Sequence, residues 1–330
     1  MVSSENFLQE VTQQMQLVRD EIGKVIVGHD NVVEGVLTAL VAGGHVLLEG
    51  VPGLGKTTLL RTLSRAMHLD YSRIQFTPDL MPADILGSMM METDGAGSKQ
   101  LRFQPGPVFA HLVLADEINR ATPRTQSALL EAMQERTVTS GTTTHSLEDP
   151  FLVMATQNPL EMEGTYPLPE AQLDRFLQKI IVGYPTQEEM VTIVDRTMSA
   201  DQPKVEQVVN REQILDMRRA AQQVLVAPHV RDYAIRFVLA TQPEHATAHT
   251  VAKKYIRYGS SPRGAQALVQ CGRVRALIRG RLNVSIGDLR ALCTPALRHR
   301  IILNFDAHAE GKTSDQVLTA ILDSMPDTEA

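Results

Sequence analysis

Short apolar segments alternate with longer amphipathic stretches through the first half of the chain. Five apolar runs have the length and composition of buried strands, and they cover residues 45–50, 73–76, 112–115, 151–156 and 180–183. Strands that alternate with helices predict a parallel sheet with helices on both faces. We therefore predict an α/β fold, an αβα sandwich around five parallel strands.

Two segments interrupt this alternation. Residues 86–104 hold two strand-like runs around the turn sequence Asp-Gly-Ala-Gly, and residues 136–147 hold two more around Gly141, so each predicts an inserted hairpin. After Pro185 the pattern changes to long helical stretches. We therefore expect a core domain of residues 1–185, with an N-terminal helix and both hairpins, followed by a helical domain of residues 186–330.

Three consecutive methionines, residues 89–91, lie in the first predicted hairpin. We interpret them as part of a partly buried strand. The alternative is an exposed hairpin whose adaptable thioethers line a ring pore and grip other protein chains.

The composition is that of a soluble globular protein with few aromatic side chains. Of 330 residues, 43% are hydrophobic, 21% are charged and 4% are aromatic, with no tryptophan. Aromatic platforms that stack nucleic-acid bases are therefore not expected. Cys271 and Cys293 lack the spacing of a zinc site or a disulfide framework, and we interpret both as apolar helical residues.

Neither a signal peptide nor a membrane span is predicted. The first ten residues are acidic and lack an apolar segment. The most apolar window, residues 36–48, is interrupted by Gly43, Gly44 and His45, so it is too short to cross a bilayer. The sequence therefore predicts a cytoplasmic protein without a transmembrane segment.

The charge is unevenly distributed along the chain. The net charge is −6, but residues 211–300 hold 16 Lys and Arg against 5 Asp and Glu, which leaves −17 on the remainder. A basic block beside an acidic remainder is typical of nucleic-acid binding, or of docking onto another domain or another copy of the chain. We favour docking, because an acidic protein repels phosphate backbones at long range.

Residues 50–57, Gly-Val-Pro-Gly-Leu-Gly-Lys-Thr, match the phosphate-loop pattern G-x-x-x-x-G-K-[ST] between a predicted strand and a predicted helix. Glycines let backbone N–H groups surround phosphate oxygens, and the helix N-terminus adds a positive dipole. Lys56 can neutralise the β- and γ-phosphates, and the Thr57 hydroxyl can bind Mg²⁺. The motif predicts ATP and Mg²⁺ as ligands, with nucleotide contacts from Gly50, Val51, Pro52, Gly53, Leu54, Gly55, Lys56, Thr57 and Thr58.

Polar side chains follow two of the predicted strands. Asp116 and Glu117 come directly after the run at 112–115, where Asp116 can join the Mg²⁺ shell and Glu117 can polarise a water for attack on the γ-phosphate. Asn158 follows another strand, and its neutral amide can hold that water. The alternative for Asn158 is an ordinary turn residue before Pro159.

Five motifs, in this order along the chain, resemble those of AAA+ ATPases. Residues 50–57, 112–117 and 156–158 are similar to the first phosphate motif, the second acidic motif and sensor 1. The segment Leu-Asp-Arg-Phe at 173–176 resembles the arginine-finger segment, and Ser-Pro-Arg at 261–263 resembles sensor 2 of the helical lid.

Three strings are similar to the MoxR family in particular. They are Asp-Glu-Ile-Asn-Arg-Ala at 116–121, Thr-Gln-Asn-Pro at 156–159 and Glu-Ala-Gln-Leu-Asp-Arg-Phe at 170–176. The resemblance extends over residues 25–303 and implies a base-side contact at Gly28. One departure is His29, at a position where the family often has glutamine.

The resemblance implies a five-stranded αβα core, an all-α lid, and a hexameric ring whose ATP sites lie between subunits. Arg175 would act in trans on the γ-phosphate of a neighbouring subunit. Arg263 would contact the nucleotide from the lid, or form an ion pair between lid and core. The family resemblance further implies a chaperone that remodels partner proteins or inserts metal into them, together with a protein that carries a von Willebrand factor A domain.

Two other classes of function remain open. An ATP-driven nucleic-acid motor would use a similar core, and the basic block favours it, but no DNA-binding module is recognisable. A nucleotide switch with little turnover would not need Glu117 as a base. We expect an ATP-driven remodeller of proteins that does not bind nucleic acid.

Overall fold

The computed structural model describes residues 2–51, 53–93, 99–159, 164–199 and 203–326. In chain order the strands are β1 Val46–Glu49, β2 Tyr71–Gln75, β3 Gly87–Thr93, β4 Lys99–Pro105, β5 Leu112–Asp116, β6 Thr137–Ser140, β7 Thr143–Ser146, β8 Leu152–Gln157, β9 Gln178–Ile181, β10 Ile256–Tyr258 and β11 Ile302–Leu303. The α-helices are α1 Val2–Gly23, α2 Asp30–Ala42, α3 Lys56–Met67, α4 Pro82–Leu86, α5 Pro123–Glu135, α6 Glu170–Leu173, α7 Gln187–Met198, α8 Arg211–Gln223, α9 Pro228–Ala240, α10 Thr250–Tyr255, α11 Pro262–Ile278, α12 Ile286–Leu297, α13 Phe305–Ala309 and α14 Ser314–Ser324. Within these ranges no helix is both long enough and apolar enough to cross a membrane.

Five parallel strands form the main sheet, in the order β2-β5-β8-β1-β9. Each predicted strand is present, with bounds that differ by at most two residues. Because the strands are parallel, their carboxyl ends meet at one edge of the sheet, which we call the carboxyl edge, and their amino ends meet at the opposite amino edge. In the register, Glu49 at the end of β1 lies between Gln157 of β8 and Ile181 of β9.

Alternate residues of the central strands pack into two separate cores. On β1, Val46 and Leu48 face a cluster that includes α1, α2, α3 and the C-terminal helices α8, α9, α11 and α12, whereas Leu47 faces a cluster that includes α5. This alternation is the period-two pattern of a strand buried on both faces. The predicted αβα sandwich is confirmed.

Two antiparallel hairpins project from the sheet connections. β3 pairs with β4, from Gly87 opposite Pro105 to Thr93 opposite Lys99, and β6 pairs with β7. The predicted first turn, residues 94–97, lies outside the described residues. The methionines at 89–91 are 44%, 56% and 65% exposed, so the prediction of partial burial is wrong. A two-stranded hairpin has no second layer of structure to cover both of its faces. A strand-like run of apolar residues therefore does not by itself indicate burial.

Both cysteines are buried helical residues, as predicted. Cys271 lies in α11 and Cys293 in α12, and neither forms a disulfide. Burial raises the pKa of each thiol to about 12, so both stay protonated and unreactive.

Candidate active site

A glycine loop joins β1 to α3 at the carboxyl edge. Gly53 and Gly55 have φ values of +86° and +76°, in the left-handed region that favours glycine. Gly50 packs closely on the residue that follows β9, since a Cβ atom there would lie 2.7 Å from the carbonyl oxygen of Val182. The backbone N–H groups at the start of α3 have no partner within the helix, and such a helix N-terminus is a ready site for an anion.

Lys56 is the first residue of α3. Its Nζ donates a hydrogen bond to the carbonyl oxygen of Gly50. Burial lowers the pKa of this ammonium, and the neighbouring carboxylates, of which Asp116 contributes most, oppose that shift. The side chain is therefore folded back over the loop, in a position to meet phosphate oxygens.

Asp116 and Glu117 lie at the end of β5, beside the loop. The Thr156 hydroxyl ties them together, because its Oγ1 donates to Asp116 Oδ1 over 2.7 Å and accepts from the Glu117 N–H over 2.8 Å. Glu117 has a φ of +56°, which costs a non-glycine residue on the order of 1–2 kcal/mol. Strain of this kind, held in place by a neighbouring strand, is typical of functional sites.

The Glu117 carboxylate receives two hydrogen bonds at Oε2. One comes from Nε2 of Gln75 over 2.9 Å and the other from Nη1 of Arg120 over 3.1 Å. Asp116 is held in a comparable way, since Nη2 of Arg73 donates to its Oδ2 over 2.7 Å. Each acidic side chain therefore has a cationic neighbour in this structure.

A cavity of about 370 Å³ lies between the loop and the acidic pair, and we call it the phosphate cavity. The predicted residues that line it are Gly50, Gly53, Leu54, Gly55, Lys56, Thr57, Thr58, Asp116, Glu117 and Asn158. Asn158 is buried and lies at the end of β8. Val51 is not among the lining residues, and Pro52 lies outside the described residues.

Arg73 and Gln75 also line this cavity, and sequence reasoning missed both. A signal was present: they are two residues apart and share one face of β2. Strand β2 is the neighbour of β5, and Gln75 is in register with Asp116. Recognising them required knowledge of the strand order, which the apolar runs do not give.

The oxygen donors of the cavity fit Mg²⁺ bound together with a nucleotide. Mg²⁺ usually keeps several waters and takes one or two protein oxygens plus phosphate oxygens. The Thr57 hydroxyl and the Asp116 carboxylate supply two such oxygens in one cavity. Across the part of the chain that the structure describes, no group of three or more His, Cys, Asp or Glu is placed to bind a metal by itself.

Gly28 lies away from the phosphate cavity. It has a φ of +67°, and a Cβ atom there would lie 2.3 Å from Oε1 of Glu189 on α7. His29, the residue that departs from the family pattern, is also left-handed and precedes α2. The structure does not bring Gly28 to the residues that line the cavity.

Arg175 and Arg263 lie together at a second cavity of about 260 Å³. It opens at the amino edge, where its lining includes Gly43, Gly44 and His45, directly before β1. Four of its lining residues are arginines, namely Arg136, Arg175, Arg263 and Arg300, and we call it the arginine cavity. From His45 to Gly50 the chain rises on the order of 15 Å at the usual strand spacing, so the phosphate cavity lies at the far end of β1.

Arg263 forms the ion pair that the sequence left open as an alternative. Its Nη1 lies 3.6 Å from Oδ2 of Asp174, the residue before Arg175. It is not among the residues that line the phosphate cavity of its own chain, and its contact with a nucleotide stays a prediction. The reason for its position is packing: α11 begins beside the amino edge, where Ser261 Oγ also donates to Asp174 Oδ2.

Arg300 holds the segment that carries Arg175. Its buried guanidinium donates to Oδ1 of Asp174 and to the backbone carbonyls of Asp174, Phe176, Leu177 and Ala296. Sequence reasoning missed this residue, which lies 126 positions after Asp174. The segment around Arg175 is therefore bonded to α11 through Ser261 and Arg263 and, through Arg300, to the end of α12.

Comparison with known proteins identifies the family of this chain. Residues 45–178 match the model of the ATPase family associated with various cellular activities (AAA), and residues 248–321 match the AAA lid domain. The protein named Chaperone MoxR1 from Mycobacterium tuberculosis is 43% identical, over 92% of this chain and 80% of its own length. The chain belongs to the MoxR family of AAA+ ATPases.

Further relatives cover most of the chain. Protein MoxR from Methylorubrum extorquens is 32% identical over 86% of each chain, and YeaC from Bacillus subtilis is 41% identical over 93% of this chain and 92% of its own. A crystal structure of a Cytophaga hutchinsonii protein, 40% identical, has a TM-score of 0.92 and covers 99% of this chain and 98% of its own. The family predicted from the motifs is confirmed, and α11 and α12 lie within the AAA lid.

Proposed function

We propose that this MoxR-family chain hydrolyses ATP with Mg²⁺ in an oligomeric ring, at sites shared by neighbouring subunits. One observation carries the proposal: the phosphate loop and the acidic pair lie at one edge of the sheet, and Arg175 lies at the other. An arginine at the amino edge cannot reach the nucleotide of its own chain. A head-to-tail contact between copies would bring the two edges together, and repetition of that contact closes a ring, for which we propose six subunits.

The residues of the phosphate cavity can divide the reaction between them. Backbone N–H groups of the loop and the Lys56 ammonium would hold the β- and γ-phosphates. Thr57 and Asp116 would hold Mg²⁺, which when bound neutralises charge on the phosphate oxygens. Glu117 would accept a proton from the attacking water, and the Asn158 amide would orient that water.

The neighbouring subunit would supply positive charge. Arg175 would stabilise the charge that develops on the transferred phosphoryl group, which is worth about 10³ or more in turnover where such arginines are known. Because Arg263 shares its cavity, we propose that it too serves the neighbour's site. Nucleotide binding and assembly would then strengthen each other.

We further propose that the ring remodels partner proteins, including their maturation with metal, together with a von Willebrand factor A domain protein. The relative named Chaperone MoxR1 supports the proposal that the ring remodels partner proteins. A second support is the hairpin of β3 and β4, which presents Met89, Met91 and Leu101 on one exposed face. Flexible thioethers are suited to contacts with apolar segments of varied sequence.

Glu117→Gln tests the enzyme reaction. The amide keeps the shape of the side chain but cannot accept the proton, so we expect Mg²⁺-dependent phosphate release to fall by at least roughly 10². Binding of a fluorescent ATP analogue should stay near the wild-type value. Glu131→Gln, which changes an exposed carboxylate on α5, is the matched control and should hydrolyse ATP at the wild-type rate. A Glu117→Gln protein that keeps half of the wild-type rate would show that another group activates the water.

The same variant tests the biological role. A protein that binds ATP without hydrolysing it should stay in its ATP state and retain bound partners. We expect mass spectrometry of proteins co-purified with Glu117→Gln to show a von Willebrand factor A domain protein, enriched over wild type. Enrichment of nucleic acid instead, lost as salt is raised, would favour the motor.

A further inference from the structure

The phosphate cavity contains a cationic side chain, Arg73, that has no role in the proposed hydrolysis reaction. Arg73 lies on β2, the edge strand of the sheet beside β5. Its Nε and Nη2 donate to Oδ2 of Asp116 over 3.2 and 2.7 Å. Nη2 also donates to Oε1 of Gln75 over 2.7 Å. The guanidinium is therefore held at the carboxylate by two nitrogens and steadied by its neighbour on the same strand.

The Asp116 carboxylate is engaged at both oxygens. Oδ1 accepts from the Thr156 hydroxyl, and Oδ2 accepts from Arg73. The Asp116 side chain is 17% exposed, so little water competes for these lone pairs. A charge-assisted pair in such a setting is stronger than one in open solvent.

Asp116 is also the carboxylate that we propose as a ligand of Mg²⁺. A divalent cation and a guanidinium repel each other, and a carboxylate oxygen engaged by Arg73 is a poorer ligand for a metal. Loading of the metal therefore requires Arg73 to move away from Oδ2. Arg73 has room to do so, because its side chain is 47% exposed at the sheet edge.

We propose that Arg73 is a latch that competes with Mg²⁺ for Asp116 and so sets the Mg²⁺ concentration at which the site loads metal with its nucleotide. The inference rests on the proposed function, since it concerns the same cavity. Arg73 thereby keeps the Asp116 carboxylate neutralised between catalytic cycles. Arg120 is the matched cation, because it pairs with Glu117 rather than with Asp116.

The measurement is a Mg²⁺ titration of the whole protein with a fluorescent ADP analogue, which is not hydrolysed. Fluorescence anisotropy gives the Mg²⁺ concentration at half-saturation. In Arg73→Ala that concentration should fall about three- to tenfold, the range for loss of one charge-assisted hydrogen-bonded pair. Affinity for the analogue without Mg²⁺ should not rise. In Arg120→Ala the midpoint should stay within about twofold of wild type.

Three results would overturn the latch. The first is an unchanged Mg²⁺ midpoint in Arg73→Ala, and the second is an equal shift of that midpoint in Arg120→Ala. The third is a gain in the affinity of Arg73→Ala for the ADP analogue without Mg²⁺ that is as large as the shift in the midpoint. Arg73→Gln keeps a donor amide without the charge and should reproduce the shift, so the test does not depend on one variant folding well. If wild type binds the analogue and the midpoint does not move, only the latch fails. If wild type does not bind the analogue at any Mg²⁺ concentration, the proposed function fails and the latch with it.

Discussion

The two ends of β1 carry two cavities with different chemistry. At the carboxyl edge, the phosphate cavity combines a glycine loop and Lys56 with the acidic pair Asp116 and Glu117. At the amino edge, the arginine cavity is lined by four arginines and one aspartate, Asp174, contributed by both the core and the lid. Under the proposed function, the first would hold a triphosphate and activate water, and the second would supply positive charge to the phosphate of a neighbouring subunit. Neither cavity alone would then form a complete ATPase site.

The two cavities are also stabilised differently. In the phosphate cavity, the acidic side chains are held by neighbours on adjacent strands, chiefly Thr156, Arg73 and Gln75. In the arginine cavity, the lid holds the core segment through Ser261, Arg263 and Arg300. We infer that the first cavity is fixed by the sheet, whereas the second depends on the position of the lid. The following predictions separate the two edges.

Lys56→Ala should have the largest effect. Without the ammonium, the charge of the triphosphate stays uncompensated inside the loop, so ATP binding and turnover should both be lost. Circular dichroism should show an unchanged fold, because the hydrogen bond that Lys56 Nζ donates among the described residues goes to a single loop carbonyl, that of Gly50. Equilibrium binding of a fluorescent ATP analogue is the measurement. Wild-type affinity in the variant would exclude this loop from the nucleotide site.

Arg175→Ala should lower turnover by about 10³ while nucleotide still binds, because the change is at the edge that serves the neighbour. Mixing it with Glu117→Gln should restore activity, since an intact Glu117 then meets an intact Arg175 at about one interface in four. The measurement is the ATPase rate of co-assembled mixtures. Subunit exchange is first shown by energy transfer between labelled variants.

Three further mixtures serve as controls for this comparison. Lys56→Ala mixed with Glu117→Gln should stay inactive, because both changes lie at the carboxyl edge. Arg263→Ala should recover with Glu117→Gln, but not with Arg175→Ala, if Arg263 acts from the amino edge. Exchange without recovery in the Arg175 mixture would show that Arg175 does not act in trans.

The smallest expected effect is the contribution of His45, at the amino edge, to the pH dependence of stability. Its Nδ1 accepts from the Val153 N–H over 3.0 Å, and its Nε2 contacts the Met133 carbonyl over 3.1 Å. Burial lowers its pKa from 6.5 to about 4, with nearby arginines adding to the shift. As pH falls, the imidazole is protonated in the unfolded chain near pH 6.5 but in the folded protein only near pH 4. The folded state therefore loses stability as pH falls from 6.5 towards 4.

The pH effect is measurable by comparison with His45→Gln, which carries no charge at any pH. The free energy of unfolding of the wild type, relative to the variant, should fall by about 2–3 kcal/mol between pH 7.5 and pH 4.5. Chemical denaturation at the two pH values gives this difference. A constant difference would mean that His45 does not titrate as a buried neutral residue.

The sequence predicted the parts that depend on short-range pattern. The five strands follow from runs of apolar residues buried on both faces, and the phosphate loop follows from glycine and lysine at fixed spacing. Asp116, Glu117 and Asn158 were predictable because parallel strands bring their carboxyl ends to one edge, and the structure places all three at the phosphate cavity. Their catalytic roles remain predictions.

The parts that depend on tertiary packing were not predictable in the same way. Arg73 and Gln75 belong to an exposed edge strand, where polar residues are ordinary, and only the strand order places them beside Asp116. The location of Arg263 depends on where α11 begins relative to the sheet. Arg300 bonds to carbonyl groups far away in the sequence, and no local spacing signals such a contact.

The hydrogen bonds of Arg300 have a mechanical consequence. The guanidinium ties the end of α12 to the backbone on both sides of Arg175, so the lid and this segment are directly bonded. A tilt of the lid relative to the sheet would therefore act on the segment that carries Arg175. In the proposed ring, the Arg175 segment of one subunit would reach the phosphate cavity of the next. The timing of each hydrolysis event would then depend on the lid orientation of the neighbouring subunit.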